Sequence, residues 1–128
     1  MKRGALAKAT GSNIETIRYY EKIGLLPEPE RTASGHRLYS LDDEKRLKFI
    51  LRCRELGFSI AELRELLGLV DTDDYTCGDV LAISKQHTHD IERKIADLKR
   101  LKRTLDQMSA ECSGDAVPEC PLVDALFE

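Results

Sequence analysis

Three of the four cysteines in this 128-residue chain are candidate ligands of one metal ion. Cys112 and Cys120 bracket the Gly- and Pro-containing loop CSGDAVPEC, which can bring both sulfurs together. Cys77 stands just ahead of a long stretch that predicts helix. Three thiolates favour a soft, thiophilic ion over Mg²⁺ or Ca²⁺. Two other interpretations stay open, namely a disulfide switch between Cys112 and Cys120, and cysteines without any ligand role.

The remaining cysteine and two of the histidines are weaker candidates. Cys53 lies in the segment ILRCREL on an amphipathic helix, which favours a place in the hydrophobic core. His87 and His89 fall on the predicted long helix as seam and surface residues, and a second metal site with Asp90 is the alternative.

The first 70 residues predict helices around a turn and a wing. Ser12 and Glu15 form a capping-box pattern that opens a helix over residues 13–24. A short apolar helix precedes it, and residues 10–12, Thr-Gly-Ser, make a tight turn, which gives helix-turn-helix spacing. The following segment LPEPERTASGHRLYS breaks helix and predicts a hairpin-like wing.

Two more capping patterns predict two more helices. Ser40 with Asp43 starts one that ends at Gly57, and Ser59 with Glu62 starts the next. The acidic stretch DTDD at 71–74 is predicted to be a solvated connector. We therefore expect a winged helix-turn-helix domain over 1–70, a connector and long helix over 71–111, and a candidate metal-binding loop with a terminal helical turn over 112–128.

The long helix carries an apolar stripe that needs a partner. Its members recur at heptad spacing: Val80, His87, Leu101 and Met108 in one series, and Ile91, Leu98 and Leu105 in the other. Pairing with a second copy is predicted, and packing on the first domain is the alternative. An antiparallel pair crossing near residues 94 and 95 would bring Cys77 of one subunit to Cys112 and Cys120 of the other. The end of the chain, PLVDALF, is expected to pack Leu122, Leu126 and Phe127 back.

Composition and charge narrow the class of protein. The chain is 41% hydrophobic, 34% charged and 5% aromatic, which favours a helix-rich globular fold. Residues 1–70 carry 13 Lys and Arg against 10 Asp and Glu, whereas residues 71–128 carry 7 against 13. The basic half suits a polyanionic partner. No signal peptide or membrane span is recognisable, which predicts a cytoplasmic protein, and no arrangement of catalytic groups indicates an enzyme.

Three sequence blocks resemble the MerR family of bacterial metal- and stress-responsive transcriptional regulators. They are IETIRYYEKIGLLPEPERTASGHRLYS, RCRELGFSIAEL, and CGD together with CSGDAVPECPLV. The resemblance implies an all-α-dominated fold, in which a winged helix-turn-helix joins a long antiparallel coiled-coil dimerisation helix and a C-terminal metal-binding loop. The short strand that often precedes the first helix has little room in MKRGALAK.

The same resemblance implies a homodimer on promoter DNA. The second helix would read the major groove through Thr16 and Arg18, since Arg can bond guanine bidentately. Tyr19 or Tyr20, with wing residues Arg37 and Tyr39, would hold phosphates. In this family the dimer acts with RNA polymerase, for which metal binding bends and untwists an over-long promoter spacer.

Cys77 favours some metal ions over others, whereas the last loop does not distinguish among them. Copper(I) members resemble this loop but carry Ser where this chain has Cys77, so the resemblance favours Hg, Cd, Pb or Zn as the divalent effector. The segment CPLV is similar to the mercury regulators, whereas the loop length is similar to the copper branch. Copper(I) and thiol-disulfide sensing therefore remain the alternatives.

Overall fold

Helices dominate the computed structural model of this chain, which describes residues 1–111 and 120–128 and confirms the predicted fold class. The described residues form two compact units, Met1–Ile83 and Ser84–Glu128. The elements in chain order are α1 (Arg3–Thr10), α2 (Ile14–Lys22), β1 (Glu30–Arg31), β2 (Arg37–Leu38), α3 (Leu41–Glu55), α4 (Ile60–Thr72), α5 (Cys77–Ala110) and α6 (Pro121–Phe127).

The turn between α1 and α2 is as tight as predicted, but a different residue caps α2. Gly11 takes the left-handed conformation, φ 73°, that ends α1 without steric cost. Asn13, rather than Ser12, is the N-cap of α2, and its side chain accepts from the Thr16 N–H at 2.8 Å. Asn caps as well as Ser does. Ser12 is instead hydrogen-bonded to the Thr10 hydroxyl at 2.8 Å, so the predicted cap was wrong by one residue.

The other two capping predictions are confirmed. Ser40 and Asp43 exchange side-chain and backbone hydrogen bonds at the start of α3, and Ser59 and Glu62 do the same at α4. The acidic stretch is only partly a connector, because α4 continues to Thr72 before the chain turns.

The first unit is built around one hydrophobic core, in which α1 packs against α2 and α3. Cys53 belongs to this core, as predicted, and burial raises the pKa of its thiol. The fully buried side chains come from every helix of the unit up to α4 and from the loop after α2: Leu6, Ile17, Leu25, Leu47, Ile50 and Leu63.

The apolar stripe of α5 divides into two parts. Val80 and Ile83 pack with the core of the first unit, so packing on that unit is the correct interpretation for these turns. His87 is also buried, at 6% exposure. Farther along, the stripe is exposed in the single chain and remains available to a second copy: Ile91, Ile95, Leu98, Leu101 and Leu105.

The last helix forms where a helical turn was predicted, but it does not bury its apolar residues. Pro121 occupies its first turn, where a missing N–H costs nothing. Leu126 and Phe127 are 63% and 87% exposed, so the expectation that they pack back was wrong for the single chain. None of the helices in residues 1–111 and 120–128 is both long and apolar enough to cross a membrane.

Candidate nucleic-acid interface and metal ligands

A basic cleft of about 270 Å³ separates α2 from the wing. Two carboxylates and five cations line it, so the cleft carries the charge that a phosphate backbone needs. The lining residues are Arg3, Arg18, Glu21, Lys22, Glu28, Pro29, Arg31 and Arg37.

The wing that forms one wall is a minimal antiparallel hairpin. Arg31 lies opposite Arg37 in the register of β1 and β2. Gly35, at φ 85°, lets the chain turn at the tip, and the Arg31 guanidinium donates to the Gly35 carbonyl at 2.9 Å. A second cleft on the wing is lined by Lys2 and His36 together with arginines of the first. The wing therefore presents cations to both clefts.

Glu21 holds the base of the first cleft together. Its carboxylate accepts from Arg3 at 3.2 Å and lies 3.7 Å from the Arg37 Nε, while the Tyr39 hydroxyl donates to its other oxygen. Arg3 also donates to the Tyr39 hydroxyl at 3.1 Å. The Glu21 side chain is 10% exposed, against 37% for Arg37. One buried carboxylate thus links α1, α2 and the wing.

The electrostatics of this cluster follow from its burial. Burial, followed by the hydrogen bond to Glu21, raises the pKa of Tyr39, so its phenol stays protonated and remains a donor. Burial opposes the charge on Arg3, but its contacts with Tyr39 and Glu21 outweigh that effect and its pKa is raised. Tyr39 is therefore a neutral donor and Arg3 a charged donor to the Glu21 carboxylate at neutral pH.

The residues predicted to read bases lie on the first two turns of α2. Arg18 is exposed and donates to Glu15 on the same helix at 2.8 Å. The Thr16 hydroxyl donates to the Asn13 side chain at 3.0 Å, so Thr16 also supports the helix cap. Their base contacts stay predictions.

The predicted phosphate-binding aromatic residues are not equivalent. Tyr19 is 50% exposed, whereas Tyr20 is 6% exposed and belongs to the core. The ring of Tyr39 is also buried, and its hydroxyl is already bonded to Glu21. Tyr20 therefore packs in the core. Tyr39 does not line the cleft itself, but its hydroxyl donates a hydrogen bond to Glu21, which does. Tyr19 and Arg37 are exposed enough for a phosphate contact, and that role stays a prediction.

Sequence reasoning did not predict that Arg3, Lys22 and Arg31 line this cleft. It also did not predict that Glu21 contacts two of the arginines of the cleft. Arg3 sits near the chain start, where only its charge marks it, and its partner Glu21 lies 18 residues away. Local spacing carries no signal for such a contact.

Two of the three proposed metal ligands are described, Cys77 at the start of α5 and Cys120 beyond its end. Cys77 is exposed in the first turn, which a reciprocal pair of hydrogen bonds between Thr76 and Asp79 caps. Cys120 is half-buried and precedes α6 as its N-cap. Cys112 lies outside the described residues. Within 1–111 and 120–128, no three His, Cys, Asp or Glu side chains are grouped as a metal site. The alternative site of His87, His89 and Asp90 is therefore not formed among these residues.

The length of α5 prevents one chain from gathering all three thiols. Its 34 residues span about 50 Å at about 1.5 Å per residue. From Ala110 to Cys120 even a fully extended chain covers at most about 36 Å. Two sulfurs on one zinc ion lie within roughly 5 Å of each other. Cys77 can therefore share an ion with Cys120 only if Cys77 comes from another chain.

Comparisons with known proteins match almost the whole chain. The family described as "MerR HTH family regulatory protein" matches residues 1–69, and the one described as "MerR, DNA binding" matches residues 44–108. The mercuric resistance operon regulatory protein of Bacillus cereus is 46% identical over 98% of this chain and 96% of its own.

Two solved structures are similar in fold, with alignments that cover at least 98% of this chain. The transcription regulator PbrR691 from Ralstonia metallidurans, in complex with lead(II), has a TM-score of 0.87, 36% identity and 98% coverage of both chains. The dual-function regulator MerR from Bacillus megaterium, in complex with mercury(II), has a TM-score of 0.75, 42% identity and full coverage of both.

Two more distant structures contain DNA. The family regulator HiNmlR, bound to promoter DNA, has a TM-score of 0.62, 25% identity, and coverage of 86% of this chain and 83% of its own. EcmrR with DNA in the polymerase complex EcmrR-RPo has a TM-score of 0.63, 27% identity, and coverage of 87% of this chain and 40% of its own.

Proposed function

The chain belongs to the MerR family of transcriptional regulators, and on that premise we propose that it binds promoter DNA as a homodimer and regulates transcription in response to a thiophilic divalent metal ion. Regulators of this family are not enzymes. The observation that carries the proposal is the 34-residue helix α5, which begins at the exposed Cys77 after the elements that form the basic cleft and ends ten residues before Cys120.

DNA binding is supported by the basic cleft between α2 and the wing. Phosphate contacts supply most of the affinity of such interfaces, and the cleft offers Arg3, Lys22, Arg31 and Arg37 for them. Arg18 is exposed on the helix that would enter the major groove. Because promoter DNA is the target, the protein acts in the cytoplasm.

Dimerisation is supported by the exposed part of the α5 stripe. Leu98, Leu101 and Leu105 are 64%, 55% and 53% exposed in the single chain. Apolar residues at heptad spacing bury this surface efficiently only against another helix. An antiparallel second copy covers the stripe and brings each Cys77 to the other chain's last loop.

The thiols suit a soft ion. Cys77 is exposed and Cys120 is half-buried, so both sulfurs can be reached, and Cys112 completes the proposed set. A bound Hg, Cd, Pb or Zn ion would supply strong bonds to thiolates. In the dimer, Cys77 of one subunit and the two loop cysteines of the other would then fix the two ends of the paired helices together. With the ion bound, that contact would change the angle between the DNA-binding units and so deform the promoter for RNA polymerase.

The proposal is tested with DNA selected by the protein itself. Genomic fragments enriched by the purified dimer supply the promoter, and transcription by bacterial RNA polymerase is measured with each of Hg, Cd, Pb, Zn and Cu(I) in excess reductant. Cys77→Ser should bind the promoter but lose the response, whereas the matched control Cys53→Ala should keep both. Enrichment of no promoter, or a full response from Cys77→Ser, would contradict the proposal. A response to an oxidant without metal, which excess reductant then reverses, would favour disulfide sensing.

A further inference from the structure

We infer that Glu21 is a positioning residue for DNA binding, which aims Arg3 and Arg37 at the phosphate backbone although it is itself an anion. The inference rests on the proposed DNA-binding function. An isolated carboxylate in a DNA-facing cleft repels phosphates, so its presence there calls for a compensating role.

The geometry gives Glu21 that role. Arg3 and Arg37 come from different elements, α1 and the wing, and their guanidinium groups lie 3.2 and 3.7 Å from the same oxygen of Glu21. The Tyr39 hydroxyl holds the other oxygen, and its ring is buried. Both carboxylate oxygens of Glu21 are therefore held in place. The side chains of Arg3 and Arg37 are in turn restricted to fewer conformations.

Partial burial completes the argument. The Glu21 and Arg3 side chains are 10% and 14% exposed, whereas Arg37 is 37% exposed and lines both clefts. Arg37 can keep its contact with Glu21 and still present N–H groups to a phosphate, because a guanidinium has five donors. Pre-ordered donors lose less entropy on binding than free ones.

A neighbouring carboxylate makes a matched control. Glu28 lines the same cleft, but among residues 1–111 and 120–128 no hydrogen bond or ion pair engages it. Neutralising Glu28 removes one negative charge and nothing else. Neutralising Glu21 removes the same charge together with the support of two arginines.

Neutralising Glu28 and neutralising Glu21 should therefore change the affinity for DNA in opposite directions. With a random-sequence 30-base-pair duplex and with a duplex selected by the wild-type protein, Glu28→Gln should bind equally or more tightly. Glu21→Gln should bind both duplexes roughly tenfold more weakly, about the size of one lost charge-assisted hydrogen bond. The dependence of its binding on salt should also become shallower by up to about two phosphate contacts.

Two further variants separate positioning from folding. Tyr39→Phe removes only the donor to Glu21 and should reproduce the weaker binding and the shallower salt dependence in part. In an Arg37→Ala background, Glu21→Gln should have a much smaller effect than it has alone.

Equal or tighter binding by Glu21→Gln would overturn the inference, and so would weaker binding with an unchanged salt dependence. If Glu21→Gln fails to fold, an unchanged salt dependence in Tyr39→Phe overturns it instead. Failure of the wild-type protein to bind either duplex would count against the proposed function, which makes the two failures distinguishable.

Discussion

A mixed dimer offers the sharpest test of the proposed metal site. One chain carries Cys77→Ser, and the other carries Cys112→Ser with Cys120→Ser. In an antiparallel dimer, one of the two sites then receives all three thiolates and the other receives none. We expect neither homodimer to bind a thiophilic ion tightly, and we expect the mixed dimer to bind one ion where the wild-type dimer binds two.

The expectation follows from lengths that the structure provides. The 34 residues of α5 span about 50 Å, and the ten residues from Ala110 to Cys120 reach at most about 36 Å. At least about 14 Å would remain between Cys77 and Cys120 of one chain, nearly three times the roughly 5 Å that one zinc ion can bridge. The intact site of the mixed dimer keeps the wild-type ligand set and should therefore keep its affinity.

The assay requires verified mixed dimers. Co-expression with two different affinity tags and sequential purification isolates them, and native mass spectrometry counts the bound ions. Competition with a chromophoric chelator in excess reductant gives the affinity. A dimer of one wild-type chain and one Cys53→Ala chain is the control, and it should bind two ions because Cys53 lies in the core.

Two results would refute the reasoning. Tight binding by the Cys77→Ser homodimer would show that Cys77 is not a ligand. A verified mixed dimer that binds no ion would show that the three thiols do not meet across the two chains.

The remaining predictions address DNA, assembly and pH. Arg18→Ala should cost roughly 1–3 kcal/mol on the selected duplex and relax specificity at one base, whereas Arg37→Ala should weaken all duplexes alike and lower the salt slope; equal losses for Arg18→Ala on cognate and random DNA would remove its base-reading role. Leu98→Asp should weaken the dimer by about 3 kcal/mol or more in sedimentation equilibrium, and a wild-type monomer at micromolar concentration would contradict the seam. The hydrogen bonds from Arg46 lower the pKa of Asp71, so the stability they add is present above the unfolded-state pKa and is lost as the pH falls through the lower folded value; urea unfolding of Asp71→Asn should show less acid destabilisation than wild type, and identical acid profiles would exclude the linkage.

Local patterns predicted the elements of this fold because each depends on near neighbours in sequence. The capping boxes at Ser40 and Ser59 were found at the right residues, since a box needs only four consecutive positions. The cap of α2 was misplaced because Ser12 and Asn13 are both good caps, and only the backbone conformation decides between them.

Contacts between distant segments explain what the sequence could not predict. The α5 stripe reads as one continuous seam, yet its first turns pack into the core of the first unit around Ile83. Tyr39 fitted a phosphate contact by type and position, but a carboxylate 18 residues earlier takes its hydroxyl. A heptad pattern or a motif indicates which residues are apolar or polar. It does not indicate which of several possible neighbours each side chain contacts in the folded protein.

The ion pair between Glu15 and Arg18 gives α2 an intramolecular competitor for the group that is predicted to read a base. Both side chains are exposed, at 79% and 56%, so the pair is worth only about 0–1 kcal/mol. A bidentate bond to guanine discriminates by roughly 1–3 kcal/mol. If Arg18 reads a base as predicted, its guanidinium can keep the Glu15 carboxylate on a non-cognate sequence, so little binding energy would be gained there. Only the cognate base would compete successfully with the Glu15 carboxylate for the guanidinium. The ion pair would therefore weaken binding to non-cognate DNA more than binding to the cognate site.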